Sequence, residues 1–159
     1  MKQSRWLSLA LGLALAAGLH APPGAAAPKV DVCAVFKKHA PKDIGLTLEK
    51  AVSVTPEFCQ AWSPGNTDTL LLRVSKISSA VRAVSGTRQS AVNSGNGVVA
   101  DEAGLGTGAW SQRDKQRIEI TFAVKEQFAT VLLNRDGGLG DADAAKARAF
   151  AKAVTGDLR

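Results

Sequence analysis

The sequence AWSQRDKQRIEITFAV, residues 109–124, contains the pattern that decides the fold. After a polar segment, apolar side chains occupy every other position at Ile118, Ile120 and Phe122. A side-chain period of two is typical of a β-strand with one buried face. The stretch therefore predicts a hairpin, in which a short strand near Trp110 is joined by a polar turn to a second strand.

The same pattern occurs 48 residues earlier, as AWSPGNTDTLLLRVSK in residues 61–76. Aligning the two copies places Trp62 on Trp110. The apolar residues of the second strand then coincide as well, with Leu70, Leu72 and Val74 on Ile118, Ile120 and Phe122. We therefore expect two tryptophan-led hairpins in the sheet of one small domain.

The first half of the chain adds further elements to these hairpins. Asp31 is suited to cap a short helix, which Pro41 is expected to end. Residues 46–54 alternate in part and predict an irregular first strand. From Ile77 onward, apolar residues recur at helical spacing, and Gly86 either ends this second helix or kinks it.

The second half of the chain predicts the clearest strands. Residues 117–125 and 127–134 are expected to pair through a tight antiparallel connection. A last, alanine-rich helix over residues 142–155 is predicted to be capped by Asp141 and ended by Gly156. The predicted fold class is α+β: an antiparallel sheet of five to seven strands, built from the two hairpins, with two or three helices packed on it.

Residues 1–26 are predicted to be a secretory signal peptide that is cleaved after Ala26. A basic N-terminus precedes an apolar run shorter than the ~20 residues of a membrane-spanning helix, and small residues follow. An uncleaved anchor is therefore disfavoured. Lipid attachment at Cys33 is disfavoured because Asp31 stands where small neutral residues are needed. The remaining residues, 27–159, suffice for a single α+β domain.

The charge of the exported chain is mild. Lys2 and Arg5 belong to the signal peptide, so 18 of the 20 basic residues remain against 14 acidic ones, a net charge of +4. The chain has no tyrosine, and it lacks the dense basic patch with interleaved aromatic residues that is typical of nucleic-acid binding. Nucleic acid is therefore not an expected partner, and no stable membrane insertion is expected after cleavage.

Two cysteines, Cys33 and Cys59, are expected to form a structural disulfide. In an oxidising compartment, a pair of cysteines in a small secreted domain is most simply a disulfide. The alternative, a redox or metal pair, lacks the Cys-x-x-Cys spacing and the histidines that would complete a metal site. We therefore predict neither a metal nor another cofactor.

The order of these features resembles a known group of proteins. A capped first helix with a cysteine is followed by a second cysteine just before a tryptophan, a helix, a Gly-Leu-Gly-x-x-Ala-Trp turn, paired strands and a terminal helix. This order is similar to that of small secreted proteins and lipoproteins of the bacterial cell envelope, common in actinobacteria, whose function is unassigned. The resemblance implies a sheet-and-helix fold and an envelope location, without a catalytic assignment. The matching residues are Cys33, Cys59, Trp62, Gly104, Leu105, Gly106, Ala109 and Trp110.

Few residues suggest chemistry. His39, the only histidine outside the signal peptide, is expected at a solvated helix end rather than in a Ser–His–acid triad. The glycine-rich residues 104–108 lack the ending of a phosphate-binding loop and are expected to form a tight turn that places Trp110 in register. The acids at 136, 141 and 143 lack the ligand spacing of a calcium loop.

Trp62 and Trp110 are the tentative ligand-binding residues. Each is expected first of all to anchor the core at a sheet edge. The functional alternative is that the two side chains line a shared cleft between the hairpins and stack on a ligand. Whether such a cleft exists is left open by the pattern alone.

The leading hypothesis is an exported, non-enzymatic envelope protein that binds a protein partner or a small ligand. A second hypothesis is an enzyme acting on the cell wall through Asp101 or Glu102, although adjacent residues of an extended segment point apart. A third is an adhesin that binds anionic envelope polymers through Arg113, Lys115 and Arg117. The oligomeric state is left open.

Overall fold

The computed structural model describes residues 30–44, 49 and 51–159. The predicted signal peptide, residues 1–26, and most of residues 45–50 lie outside these ranges. In chain order the elements are α1 (Val32–Asp43), β1 (Val52–Thr55), β2 (Phe58–Trp62), β3 (Asp68–Lys76), α2 (Ala80–Ser94), β4 (Val98–Asp101), β5 (Thr107–Arg113), β6 (Arg117–Val124), β7 (Gln127–Arg135) and α3 (Asp141–Leu158).

In the described part of the chain, the strands form one antiparallel sheet of seven strands in the order β1-β2-β3-β7-β6-β5-β4. Two meanders, β1–β3 and β4–β7, meet where β3 pairs with β7 along nine residues of each strand. Within the same ranges, three helices pack on this sheet. The predicted α+β class, with its antiparallel sheet and packed helices, is confirmed.

Both predicted hairpins are present, as β2–β3 and β5–β6. The aligned apolar residues lie on one side of the sheet, which we call the core face, and nearly all are fully buried: Leu70, Leu72, Val74, Ile118, Ile120 and Phe122. The alignment does not hold for the tryptophans. Trp62 ends β2 opposite Thr69, whereas Trp110 lies within β5 opposite Thr121, because β5 continues three residues beyond its tryptophan before the turn.

The helices cover the two faces of the sheet unequally. On the core face, α1 packs on β2 and β3, while α3 packs on β6 and β7. On the opposite face, which we call the α2 face, α2 packs on β4 to β7. Two corners of the sheet consequently have little helical cover in the described part of the chain: β4–β5 on the core face and β1–β3 on the α2 face.

Helix α1 begins as expected but ends later. The Asp31 side chain accepts a hydrogen bond from the Ala34 N–H at 2.9 Å, which is the predicted cap. The expected end at Pro41 is wrong. Phe36, Ala40 and Ile44 form a buried stripe at spacings of four, so continuing the helix past the proline keeps that stripe on the core.

The predicted disulfide between Cys33 and Cys59 is confirmed, with a Cα–Cα distance of 5.1 Å. It joins α1 to β2 and closes a sequence separation of 26 residues. Cys59 is fully buried at the core face of the first hairpin. The bond therefore fixes the helix that covers this hairpin to one of its two strands.

Helix α2 runs through Gly86 to Ser94, in agreement with the alternative that the helix continues past this glycine. Helix α3 differs from its predicted ends. Helix α3 begins at Asp141, one residue earlier than expected. Asp141 is therefore not the cap, and the side chain that accepts from the Gly140 N–H before the helix is that of Asp143. It continues past Gly156 because Leu158 is buried in the core. None of the helices in the described ranges is long and apolar enough to cross a membrane.

Candidate functional site

An open groove of about 1000 Å³ occupies the core face beside β4 and β5. It lies where these strands extend beyond the main contacts of α3 with β6 and β7. Its apolar surface includes Val98, Ala100 and Leu139, and its polar surface includes Ser111, Arg113 and Arg148. Pockets that combine an apolar lining with a few placed polar groups are typical of small-ligand sites.

Two loops that close one end of the groove are tied together by backbone hydrogen bonds. The N–H of Leu139, in the loop before α3, donates to the carbonyl of Lys115 in the β5–β6 turn at 2.8 Å. The N–H of Arg135 donates to the carbonyl of Gln116 at 2.7 Å. The Asp114 carboxylate accepts from two backbone N–H groups of its own turn. These bonds fix the rim on which the charged side chains stand.

A largely buried carboxylate, that of Glu102, orients one arginine of the groove. Glu102 follows β4, and its N–H donates to the Ala109 carbonyl, so the strand ladder directs its side chain to the core face. Glu102 Oε1 accepts from the Ser111 hydroxyl at 2.6 Å, and both carboxylate oxygens accept from Arg148 Nε, at 2.8 and 3.0 Å. The Glu102 side chain is only 10% exposed, whereas that of Arg148 is 41% exposed.

A second arginine links the groove to the start of α3. Arg113 Nη1 lies 2.6 Å from a carboxylate oxygen of Asp141, and Nη2 donates to the Leu139 carbonyl at 3.0 Å. The Asp141 carboxylate is almost fully exposed, so this ion pair is well screened by water. The hydrogen bond to the Leu139 carbonyl therefore positions Arg113 as well as the ion pair with Asp141 does.

The third cation, Lys115, stands at the tip of the β5–β6 turn and is exposed. Over the described ranges, no carboxylate lies within ion-pair distance of its ammonium group. The charged side chains that line the groove are thus Arg113, Lys115 and Arg148 against Asp114. Glu102 and Asp141 pair with Arg148 and Arg113, so within the described residues Lys115 is the groove cation that has no carboxylate partner.

The two acids of the enzyme hypothesis, Asp101 and Glu102, lie on opposite faces of the sheet. Asp101 accepts from Arg88 of α2 at 3.0 Å, while Glu102 meets Arg148 of α3. They point apart, as expected for neighbours in an extended segment. The structure therefore does not bring them together as an acid/base pair.

The three cations of the adhesin hypothesis are also divided. Arg113 and Lys115 line the groove. Arg117 instead pairs with Glu119 on β6. These two residues alternate with the buried Ile118 and Ile120, so they lie on the opposite face of the sheet. The residue that completes the groove is Arg148, which sequence analysis did not single out. Its only sequence signal is an arginine within an alanine-rich helix, and this does not reveal the contact with Glu102.

Trp62 and Trp110 do not share a cleft. Three strands lie between β2 and β5, so the tryptophans are about four strand spacings, or roughly 19 Å, apart. Trp110 is buried beneath α2, and its Nε1–H donates to the Val84 carbonyl at 3.1 Å. Trp62 is half-buried at the corner that α2 does not cover. Ligand binding by either tryptophan stays a prediction.

His39 lies outside the groove, at the contact between α1 and α3. Its Nε2 is 2.8 Å from a carboxylate oxygen of Asp157, and Lys38 donates to the same carboxylate at 2.8 Å. The hydrogen bond from Lys38, followed by that from His39, lowers the pKa of Asp157. The expected solvated helix end is wrong because packing of α1 on α3 leaves the His39 side chain only 17% exposed.

The glycine-rich turn before Trp110 has a packing role. Gly106 has a positive φ, and a Cβ at this position would lie 2.4 Å from the Ala123 carbonyl oxygen on β6. Only glycine allows this approach of the two backbones. Among the described residues, no group of three or more histidine, cysteine, aspartate or glutamate side chains is arranged to hold a metal ion.

We compared the chain with protein-family models, curated proteins and solved structures, and found no significant match.

Proposed function

We propose that this protein is an exported, non-enzymatic binding protein of the bacterial envelope that holds a small ligand in the groove beside β4 and β5. The observation that carries this proposal is the groove itself, about 1000 Å³ in volume and lined by three cations. One of these, Arg148, is held in place by the Glu102 carboxylate, whose side chain is 10% exposed. A preformed pocket with an oriented charged group lowers the entropic cost of binding.

Binding is favoured over catalysis by the way the polar groups of the groove are used. Both oxygens of Glu102 accept hydrogen bonds from Arg148, and one also accepts from Ser111. A general base needs a lone pair directed at the substrate, and these lone pairs are directed at protein groups. Ser111 is only 2% exposed, so its hydroxyl is poorly placed to act as a nucleophile.

Export is supported by two features of the chain. Residues 1–26 have the charge and apolar pattern of a signal peptide. The Cys33–Cys59 disulfide is compatible with an oxidising compartment. The resemblance to secreted envelope proteins agrees with both features. These features support the proposal that the mature protein, residues 27–159, acts in the periplasm or outside the cell.

Thermal unfolding of the purified exported protein against a panel of envelope metabolites and soluble wall fragments tests this function. A groove ligand is expected to raise the unfolding midpoint of the wild-type protein and of Arg82→Gln by the same amount. Arg82 is exposed on α2, away from the groove. Arg82→Gln therefore serves as the control for Val98→Asp, because each substitution lowers the net charge by one. The shift should be lost in Val98→Asp, which places a charge on the apolar side of the groove.

If no compound raises the midpoint, or if Val98→Asp retains every shift, the groove is not the binding site. The intact mass of the same preparation tests export, because cleavage after Ala26 leaves a chain that begins at Ala27. A mass that includes residues 1–26 would contradict cleavage at this position.

A further inference from the structure

We infer that the ligand of the groove is a small molecule in which an anionic group, a carboxylate or a phosphate, is joined to an apolar part. The inference rests on the proposed function, since it names the chemical class of the ligand for the same groove. It follows from a surplus of hydrogen-bond donors, from the orientation of Arg148 and from the apolar surface beside it.

The donors that line the groove outnumber its free acceptors. Arg148 uses only Nε for Glu102, so its two terminal nitrogens have no acceptor within the described part of the chain. The Lys115 ammonium also has no carboxylate partner there. In contrast, the carboxylates of Glu102 and Asp114 already accept hydrogen bonds from the protein. A ligand that supplies acceptors to the terminal nitrogens of Arg148 and a negative charge to Lys115 fits this arrangement.

The orientation of Arg148 suits a planar or tetrahedral anion. Because Nε is held by Glu102, the guanidinium edge formed by the two terminal nitrogens is left for a ligand. Two parallel N–H groups match the oxygens of a carboxylate or a phosphate and bind them in a bidentate manner. The contact with a carboxylate that is 10% exposed also restricts the arginine before the ligand arrives.

The apolar part of the ligand is indicated by Val98. This side chain is 72% exposed, more than any other large hydrophobic residue in the described ranges, and it lines the groove with Ala100 and Leu139. A bound inorganic anion would leave this surface in water. A molecule with an apolar portion would cover Val98 while its charged end meets Arg148.

A small molecule is favoured over an anionic polymer by the distribution of charge. A polymer gains affinity from cations arranged along an open surface. Here Arg117, the next cation of the β5–β6 hairpin, is paired with Glu119 and does not line the groove. The remaining cations surround a single concave site.

The test uses isothermal titration of the exported protein with four probes: 3-phenylpropanoate, phenyl phosphate, the neutral 3-phenylpropanamide and inorganic polyphosphate. We expect at least one of the first two probes to bind. The amide should bind at least about 10-fold more weakly than the carboxylate, because it lacks the charge. Comparing the carboxylate with the phosphate identifies which anion the groove prefers.

Two substitutions locate the binding. Lys115→Gln removes an exposed cation with no partner in the described ranges, so it should leave the unfolding midpoint unchanged while weakening the anionic probe several-fold. Arg148→Gln should weaken it about 10-fold or more, and Arg148→Lys should restore part of this loss. Arg82→Gln should bind like the wild type. Lys115→Gln keeps the test decisive if Arg148→Gln fails to fold.

Each contrary result has a distinct meaning. If the amide binds as well as the carboxylate and Val98→Asp abolishes both, the groove binds small molecules but the anionic class is wrong. If polyphosphate alone binds, with a steep loss of affinity in salt, the small-molecule class is wrong and the adhesin hypothesis gains support. If none of the four probes binds, the anionic class is overturned, and the metabolite panel alone decides whether the groove binds ligands.

Discussion

The two tryptophan-led hairpins share a sequence pattern but are held in the molecule by different means. In β5–β6, Trp110 lies beneath α2 and donates to the Val84 carbonyl. In β2–β3, Trp62 is half-buried, and a disulfide from Cys59 joins the hairpin to α1. The difference arises because α2 packs on β4 to β7 and leaves the α2 face of the first hairpin open. The position of one helix thus decides which tryptophan belongs to the core.

The largest expected effect comes from removing the buried tryptophan. Trp110→Ala should lower the free energy of unfolding by about 3–5 kcal/mol, the range for large aromatic truncations in a core. Trp62→Ala is the matched control and should cost only about 1 kcal/mol, because its side chain is already partly in water. Urea unfolding followed by far-UV circular dichroism measures both values without relying on tryptophan fluorescence.

If Trp110→Ala does not fold, Trp110→Phe allows the loss of unfolding free energy at position 110 to be compared with that at position 62, because it keeps an aromatic ring in the core. It removes one donor to the Val84 carbonyl, which still accepts from the Thr87 hydroxyl, so the lost hydrogen bond should cost about 0.5–1.5 kcal/mol. Equal losses for substitutions at 62 and 110 would mean that the two hairpins are anchored alike, against the observed burial.

The second expected effect concerns the disulfide of the first hairpin. Cys33→Ser together with Cys59→Ser should lower the free energy of unfolding by roughly 3–4 kcal/mol, because a loop with a sequence separation of 26 residues is no longer closed in the unfolded chain. Urea unfolding of the oxidised protein and the double variant checks this value. Reductant should destabilise the wild type and leave the double variant unchanged.

Hydrogen exchange locates this effect. Opening of the bond should reduce amide protection mainly in α1 and β2, while β5 and β6 beneath α2 keep theirs. If protection falls equally in β5 and β6, the two hairpins open as one cooperative unit, and their different anchors have no separate effect on local stability.

Local patterns predicted the strands and the disulfide well, because their causes are local. The alternation around Ile118 and Ile120 reports burial of one face, and a chain with two cysteines allows a single intramolecular pairing. The separation of Trp62 from Trp110 was not predictable, because it depends on the insertion of β7 beside β3. This order of strands comes from contacts between residues far apart in the chain.

The groove was predictable only in part for the same reason. Arg113 and Lys115 stand out in a polar turn of the sequence, but Arg148 joins them through Glu102, which is 46 residues away. The late end of α3 shows a related limit. Gly156 indicates a helix end by its local preference, whereas burial of Leu158 against the core outweighs that preference in the folded protein.

The smallest expected effect concerns the contact that joins the helices covering the two hairpins. Hydrogen bonds from Lys38 and His39 of α1 lower the pKa of Asp157 on α3. A lowered carboxyl pKa stabilises the fold above the unfolded-state value of about 4, and this stabilisation is lost as the pH falls through the folded-state value. Asp157→Asn removes the charge and keeps the size of the side chain. The difference in unfolding free energy between the wild type and Asp157→Asn should therefore shrink as the pH falls from about 5 towards 2.5.

Urea unfolding across this pH range measures that difference, and Asp141→Asn, which alters an almost fully exposed carboxylate, is the control. The loss should be modest because the Lys38 partner is itself exposed and screened by water. A difference that stays the same down to pH 2.5 would mean that the Asp157 charge does not hold α1 to α3. In that case the helix above the first hairpin would depend on its disulfide and its apolar stripe alone, and the contrast with the second hairpin would become sharper.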